Sequence, residues 1–421
     1  MSFKQNMLRG LGKCHVEMLE SSNREVFKED ILYGALNSIS YDTYFEGTKC
    51  WYIYDLILGM QDNDYFENKI IEKLEKSKKL SIKTFNHLTD LLDQFAYDGS
   101  SKAKNVLEEQ YQLLLNKKRF SSDDYEKLCN LIKIFNDLYG NKKIDEVLDD
   151  VYRYKLTHKS FDVTNLWFIQ SMVFNLDEVF ISKIKTYFPE FDFEYNKNNI
   201  PIRLENVSMD DIRNSNIEDL SLCVRCLDKS YHNELIDYLL EINDKEKSII
   251  IVKNLNISNK LFNEKIDQLL NLVEKYDLQY EAYFLDFLAR HKSKKLRCLA
   301  YKLIDNLTFK EYGIDLLIAN HSKEDIEYLY RYFKSVSFNF NGHKSHEYVS
   351  HIIKYFNNGG KDEKIKSLLI YYYENNYCSY CRKEIIDIMK KFNLLTDEII
   401  NEMKYDCNYD IRKMAKKMLA K

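Results

Sequence analysis

Glycine and proline are scarce in this sequence. It contains 11 glycines and 2 prolines among 421 residues, about 3% against a usual share of roughly 12%. β-Sandwiches, barrels and propellers need a turn residue about every 8–12 positions, which this composition cannot supply. Hydrophobic residues make up 45% and aromatic residues 14% of the chain, so wholesale disorder is excluded as well. We therefore expect a large, mostly helical protein.

Neither sign of charge dominates. Lysine and arginine number 62, aspartate and glutamate 66, and the sequence pI is near 6.2, whereas dedicated nucleic-acid-binding domains usually have a pI above about 9. No stretch approaches the roughly 18 uncharged apolar residues of a membrane span, and no apolar run follows the basic residues of the N-terminus as in a secretory signal. Nine cysteines are a low density for this length, which favours reduced thiols. We expect a cytoplasmic protein without a membrane partner.

Apolar residues recur with helical spacing from end to end. In residues 122–139 they fall at i, i+3, i+4, i+7, i+10 and i+13, which is one stripe of a 3.6-residue helix. A short hydroxyl residue followed by an acid three positions later indicates a helix start. Such pairs are Ser121/Asp124, Ser208/Asp211, Thr308/Glu311 and Ser322/Asp325. Residues 248–255 and 335–340 are rich in strand-forming residues, but each is isolated, so we expect helix or loop there.

The sequence changes character in residues 189–216, which contain both prolines and an Asn-rich turn. We interpret this stretch as an irregular connector between two helical-repeat halves, residues 1–188 and 217–421. A second irregular stretch, residues 335–345, carries Gly342 between two expected helices.

Four segments of the sequence align without gaps: 95–111, 288–304, 373–389 and 403–419. Each ends one helix, passes through a polar turn and opens a second helix. In that second helix an apolar residue is followed at once by a basic one and then by two further apolar positions. The basic residues are Lys104, Arg297, Arg382 and Arg412, which we call the basic column.

This pattern resembles the second helix of a HEAT repeat. In the segment that matches best, Asp410 and Arg412 stand where the family commonly has Asp and Arg. Lys295 and Tyr380 replace the Asp in two other segments, and Lys104 replaces the Arg. The resemblance implies an all-α fold, an α-α superhelix of stacked helical hairpins with a long concave surface, since a single hairpin cannot bury its apolar faces alone.

The basic column has two interpretations. In the HEAT family the equivalent Arg usually binds acids and carbonyls between adjacent repeats, which implies a structural role. Alternatively, the column lies on the concave face and meets an acidic partner or phosphates.

Aromatic residues crowd the N-terminal block 24–58, where Trp51 and Tyr52 stand among several tyrosines. Such clusters favour protein contacts, because Tyr and Trp contribute large areas at low entropic cost, but they also form the core of a solenoid cap. The candidate binding residues are therefore Trp51, Tyr52, Lys104, Arg297, Arg382 and Arg412.

Two groups have the chemistry of metal ligands. Cys223/Cys226 and Cys378/Cys381 are CxxC pairs. The two pairs are separated by far more than the roughly 15–20 residues that lie between the pairs of a zinc knuckle. We interpret them as small buried side chains. A second group contains His343, His346, Glu347 and His351. On a helix, His346 and His351 point about 140° apart and cannot reach one metal. We assign no metal and no cofactor.

No catalytic set can be singled out, and Gly10 and Gly12 lack the third glycine and the preceding strand of a phosphate-binding loop. We expect a non-catalytic scaffold or adaptor whose partner is another protein, an expectation that rests on fold. The alternative is a DNA-binding protein resembling the HEAT-like alkylpurine DNA glycosylases, in which an acid and an aromatic stabilise a developing sugar cation. Trp51 or Trp167 with a nearby Asp is the candidate pair. A third hypothesis is a metal hydrolase built on residues 343–351.

Overall fold

A computed structural model describes residues 2–76, 80–166, 169, 178–191, 207–275, 278–306, 308–339 and 344–420. The protein is 76% helical and has no strand among these residues, which confirms the predicted all-α class. Residues 248–254 are helical and 335–339 are irregular, as expected. Within the described ranges, no helix is both long and apolar enough to cross a bilayer.

The helices are numbered here in chain order. The first group comprises α1 (Phe3–Arg9), α2 (Lys13–Glu20), α3 (Lys28–Leu36), α4 (Thr43–Glu46), α5 (Cys50–Met60), α6 (Asn63–Lys76), α7 (Ile82–Tyr97), α8 (Ser101–Leu115), α9 (Ser122–Tyr139), α10 (Asn141–Thr157) and α11 (Glu178–Tyr187). The second comprises α12 (Met209–Asn214), α13 (Ile217–Cys226), α14 (His232–Glu241), α15 (Lys245–Asn254), α16 (Asn259–Lys275), α17 (Leu278–Leu288), α18 (Lys294–Ile304), α19 (Lys310–Asn320), α20 (Ile326–Lys334), α21 (Lys344–Asn357), α22 (Glu363–Lys366), α23 (Leu368–Asn375), α24 (Ser379–Lys391), α25 (Asp397–Met403) and α26 (Tyr409–Leu419).

Side-chain caps fix most of the predicted helix starts. Ser121 and Asp124 form a reciprocal capping box at α9, and Ser208 and Asp211 form another at α12. Ser322 and Asp325 form a third on the short 3-10 turn that precedes α20. The predicted start at Thr308 is wrong, because α19 begins at Lys310 after Phe309, which makes no side-chain cap bond.

The apolar stripes of the repeat segments form much of the core. In α9, the predicted stripe is buried from Tyr125 to Phe135. Among the four aligned segments, the buried apolar positions are Ala103, Leu107, Tyr111, Leu296, Ala300, Ile385, Met389, Ile411 and Ala415. Gly313 allows a close approach, because a Cβ there would lie 2.9 Å from the carbonyl oxygen of Ala300. Helices α18 and α19 therefore pack closely.

Helices pack on the next helix and on the next but one. The row α1, α3, α5, α7 and α9 is formed by such alternate contacts, and α13, α15, α17, α19 and α21 form a second row. Hairpin partners such as α7 and α8, or α18 and α19, supply the contacts between consecutive helices. Within each row, an inner helix therefore packs between two helices that are not adjacent to it in the sequence.

The chain divides into two compact units. Unit 1 comprises residues 1–195, 338–342 and 370–421, and unit 2 comprises residues 196–337 and 343–369. One boundary falls inside the predicted connector 189–216, of which residues 189–191 and 207–216 are described. The C-terminal segment belongs to the same unit as the N-terminal helices. The predicted repeat halves, 1–188 and 217–421, remain a prediction.

Candidate functional site

Four of the six predicted binding residues come together in unit 1. They are Trp51, Tyr52, Arg382 and Arg412. They meet where the N-terminal residues 9–15 pack against residues 402–412, a contact that we call the terminal junction. Lys104 lies elsewhere in unit 1, half-buried near the start of α8, and Arg297 lies in unit 2.

Arg382 lies at the centre of the terminal junction and is fully buried. Its guanidinium binds both carboxylate oxygens of Asp406, at 2.8 and 3.0 Å. It also donates to the backbone carbonyls of Arg9, Gly10 and Asn376. Although burial alone would lower the pKa of Arg382, the paired Asp406 raises it. The donors of this buried cation are therefore all used, and the bonds to Arg9 and Gly10 join its segment to residues 9–15.

Two glycines allow the N-terminal segment to approach so closely. Gly10 has a φ of +73°, and a Cβ there would lie 2.3 Å from the Sγ of Cys407. A Cβ at Gly12 would lie only 1.8 Å from the carbonyl oxygen of Glu402. The backbone N–H of Cys407 donates to the Gly10 carbonyl at 2.9 Å. These glycines thus serve a backbone contact between distant segments.

A second buried ion pair lies beside Arg382. The side chains of Glu46 and Lys49 are 3.1 Å apart and almost fully buried. Lys49 donates to the carbonyl of Tyr377, and Glu46 accepts the backbone N–H of Ser379 at the start of α24. Burial opposes ionisation of Glu46, but Lys49 and Ser379 together hold its pKa below the ordinary value. The α4–α5 turn is thereby fixed to the C-terminal segment.

Two of the predicted binding residues, Tyr52 and Arg382, are buried inside the terminal junction. Tyr52 is 0% exposed, and its hydroxyl donates to the Leu11 carbonyl at 2.8 Å. Neither side chain offers any surface to a partner, because both are used inside the terminal junction. For Arg382, the structural interpretation of the basic column applies.

Arg297 follows the same structural pattern in unit 2. It binds Asp325 through two bonds of 2.8 Å and Glu324 through one of 2.9 Å. Burial opposes ionisation of Asp325, but Arg297 and its other donors lower the pKa of Asp325 to about 2. Asp325 lies 28 residues after Arg297, and Asp406 lies 24 residues after Arg382. In both cases the carboxylate stands in the turn between two later helices, α19 and α20 or α25 and α26.

Arg412 departs from that pattern. Its guanidinium carbon lies 3.4 Å from the centroid of the Trp51 ring, and one nitrogen donates to the backbone carbonyl of Asp406 at 2.8 Å. Among the described residues, no carboxylate forms an ion pair with it. Arg412 is half-buried, and burial lowers the pKa of its guanidinium, an effect that Asp55 and Asp406 only partly offset.

The surface around this stacked pair is made by α5 and α26. Asp55 follows Trp51 by one helical turn and is exposed, and Tyr409 opens α26 with 65% of its surface exposed. Desolvation raises the pKa of the Asp55 carboxyl, and Arg412 opposes this shift. We call Trp51, Asp55, Tyr409 and Arg412 the Trp51 surface. It combines aromatic area with one incompletely neutralised cation.

His15 lies beneath the Trp51 surface and is 4% exposed. It bonds to the backbone of Tyr52, stacks on Tyr405 at 5.4 Å, and its Nε2 has no hydrogen-bond partner in the described part of the protein. Burial lowers the pKa of His15 to about 4, with a smaller contribution from Arg412. The imidazole is therefore neutral at pH 7. No sequence pattern indicated His15 or Tyr409. Asp55 could have been identified from the sequence, because it follows Trp51 by one helical turn.

The structure shows the partners of one candidate metal residue, His351. His351 is buried on α21; its Nδ1 lies 2.7 Å from the Tyr332 hydroxyl and its Nε2 lies 3.3 Å from Asp315. Both ring nitrogens are thus occupied. His343 and Trp167 lie outside the described residues. Cys223 and Cys226 belong to unit 2, and Cys378 and Cys381 to unit 1.

Comparison with known proteins gives no match. No family model matches the chain, and no curated protein or solved structure is significantly similar to it.

Proposed function

We propose that the protein is a non-catalytic scaffold of HEAT-like helical hairpins that binds an acidic segment of another protein at the Trp51 surface. The two rows of alternately packed helices support the solenoid part of this proposal, since stacked hairpins pack against their neighbours. The terminal junction is an additional contact that hairpin stacking does not require. The pairing of Arg297 and Arg382 with carboxylates of later turns supports it too. Such pairing is what the HEAT resemblance implies.

The surroundings of Arg412 are the observation that supports the binding part of this proposal. Arg297 and Arg382 each receive a bidentate carboxylate from within the chain. Arg412 receives a single carbonyl and an aromatic face, although it is half-buried. A partner carboxylate would supply the missing ionic bond, and hydrogen bonds to charged groups contribute about 1.5–3 kcal/mol.

The charges of α26 favour an acidic partner. Lys413, Lys416 and Lys417 are exposed on the same helix as Arg412, and Asp410 is its one acidic residue. Trp51 and Tyr409 are of the residue types that dominate the energy of protein interfaces, as is Arg. Asp55 opposes an anionic partner through its own charge. The Trp51 surface therefore contains one group that attracts the partner and one that repels it.

These opposed charges define the test. A fluorescent peptide of alternating Glu and Gly is titrated with the full-length protein at low salt. Arg412→Gln should weaken binding about tenfold, because a charged hydrogen bond is lost, while Asp55→Asn should tighten it severalfold. Arg153→Gln is the matched control, since Arg153 is exposed in the same unit and bonded to Asp150. Equal affinity of the wild type and Arg412→Gln would contradict the proposal.

A second candidate function is DNA binding with base release, as in the HEAT-like alkylpurine DNA glycosylases. One observation favours it: Trp51 and Asp55 lie one turn apart, and the pKa of the Asp55 carboxyl is raised beside a cation. The stacking of Arg412 on Trp51 and the internal pairing of Arg297 and Arg382 weigh against it. Here Asp55→Asn should abolish base release from an alkylated duplex, and duplex binding should fall steeply with salt. Absence of duplex binding at low salt would remove this candidate.

A further inference from the structure

Two thiols are paired at the start of α24. Cys378 is the N-cap residue of this 13-residue helix, and Cys381 occupies its third position. The backbone N–H of Cys381 donates to the Sγ of Cys378 at 3.5 Å, and the Cys381 thiol forms a side-chain hydrogen bond with the same residue. Neither cysteine is in a disulfide. The protein thus carries a dithiol whose sulfurs lie within 4.8 Å of each other.

The environment gives the two sulfurs different roles. The positive end of a helix and donated hydrogen bonds stabilise negative charge on a sulfur, which is the situation of Cys378. The pKa of Cys381 is raised, first by its hydrogen bond with Cys378 and then by burial. The Cys381 thiol therefore keeps its proton. One sulfur is placed as a nucleophile and the other as the thiol that resolves its oxidised form.

We propose that Cys378 and Cys381 form a reversible redox site that a peroxide oxidises to a disulfide. The Cys378 thiolate attacks one peroxide oxygen, the O–O bond breaks, and hydroxide leaves, which gives a sulfenic acid. The Cys381 sulfur then attacks the Cys378 sulfur; the S–O bond breaks and the hydroxyl leaves as water with the Cys381 proton. The two sulfurs together lose two electrons, and the peroxide gains them.

The exposure of the pair selects a small oxidant. Cys378 is 6% exposed, Cys381 is half-buried, and Tyr380 between them is 53% exposed. The dithiol therefore lies just beneath the surface. Hydrogen peroxide is small enough to reach such a site, whereas a bulky disulfide reagent needs a more open sulfur.

The chain contains its own control in Cys223 and Cys226. This pair has the same spacing and matched burial, with Cys223 also 6% exposed and Cys226 half-buried. It lies at the opposite end of its helix, since α13 ends at Cys226. The carbonyl end of a helix disfavours negative charge. In addition, Cys223 Sγ lies 3.3 Å from the Ser215 hydroxyl rather than against a second thiol.

The test treats the reduced full-length protein with hydrogen peroxide in the presence of a chelator, followed by alkylation and tryptic digestion. Residues 367–382 form one tryptic peptide that contains both Cys378 and Cys381. We expect this peptide to be recovered unalkylated and two hydrogens lighter, about tenfold faster than Cys223 and Cys226 lose their alkylation. Dithiothreitol should reverse the change. Equal rates for the two pairs, or full alkylation of residues 367–382 throughout, would overturn the proposal.

Two variants separate the roles of the sulfurs. Cys381→Ser should stop the reaction at the sulfenic acid, which dimedone traps on Cys378. Cys378→Ser keeps an oxygen at the N-cap position, so that α24 is preserved, and should leave Cys381 unmodified by peroxide. Dimedone labelling of Cys381 in Cys378→Ser, at the rate at which Cys378 is labelled in Cys381→Ser, would contradict the assignment of the nucleophile.

Discussion

Arg382 and Arg412 occupy the same position in two successive repeat segments, yet their surroundings differ. Arg382 is fully buried and forms a bidentate pair with Asp406, whereas Arg412 is half-buried and lies on the ring of Trp51. The turn between α25 and α26 brings Asp406 to Arg382, and no carboxylate among the described residues is brought to Arg412 in the same way. A repeat pattern therefore specifies where a residue stands within a hairpin but not what it binds. The internal partner decides whether such an arginine serves the fold or remains available to another molecule.

The largest expected effect on stability comes from replacing Arg382. Arg382→Met removes the cation and leaves Asp406 buried without its partner, which should lower the free energy of unfolding by about 3–5 kcal/mol. Urea unfolding followed by circular dichroism measures the loss. Because Asp406→Asn removes the stranded charge, adding it to Arg382→Met should recover part of the stability. A loss below about 1 kcal/mol would show that the terminal junction does not depend on this pair.

His15 should make the stability of the terminal junction depend on pH. Its pKa is about 4 in the folded protein against an ordinary 6.5, so the unfolded chain binds the proton first as the pH falls. The stabilisation is complete above pH 6.5 and is lost between pH 6.5 and 4, amounting to about 3 kcal/mol. His15→Gln should flatten this part of the urea-midpoint curve against pH. An unchanged slope in His15→Gln would contradict this role of His15.

Gly12 tests the close approach of the two chain ends. Gly12→Ala places a methyl group where the Glu402 carbonyl now lies, and overpacking of this kind costs about 1–3 kcal/mol. The same substitution at Gly99 introduces backbone strain without a steric conflict. A Cβ there meets nothing within 4 Å, and only the φ of +103° is unfavourable. Comparison of the two thermal midpoints separates steric conflict from backbone strain. If Gly12→Ala unfolds at the wild-type temperature, residues 9–15 do not pack on residues 402–412 as described.

Arg412 should give the smallest effect on stability. Its stacking on Trp51 contributes about 1 kcal/mol, the order of a partly exposed cation–π contact. Arg412→Met should therefore shift the urea midpoint far less than Arg382→Met does. Losses of equal size in the two variants would mean that Arg412 is as much a part of the fold as Arg382, and the comparison would fail.

The sequence predicted the local structure well, because helices are specified by residues within a few turns of one another. Periodicity indicated the α9 stripe, and the Ser121/Asp124 and Ser208/Asp211 pairs marked two capping boxes. The missed start at Thr308 shows the limit of this logic, since Asn306 rather than an acid bonds to its backbone N–H.

The terminal junction could not be predicted, because its contacts join residues more than 370 positions apart. Helical periodicity says which face of a helix is buried but not which distant segment covers it. Gly10 and Gly12 were considered only as a phosphate-binding loop, whereas both make room for the backbone and side chains of residues 402–407. Trp51 and Arg412 were each singled out by separate patterns, and neither pattern indicated that they touch.

Our proposal requires that Arg412, unlike Arg382, be available to a partner protein. Affinity capture from nuclease-treated native lysate tests it most directly, with the wild type, Arg412→Gln and Arg153→Gln as baits at equal loading. We predict one stoichiometric protein that the wild type and Arg153→Gln retain, that Arg412→Gln loses, and that the Glu–Gly peptide displaces. The same proteins on all three baits, or no stoichiometric protein on the wild type, would contradict the proposal.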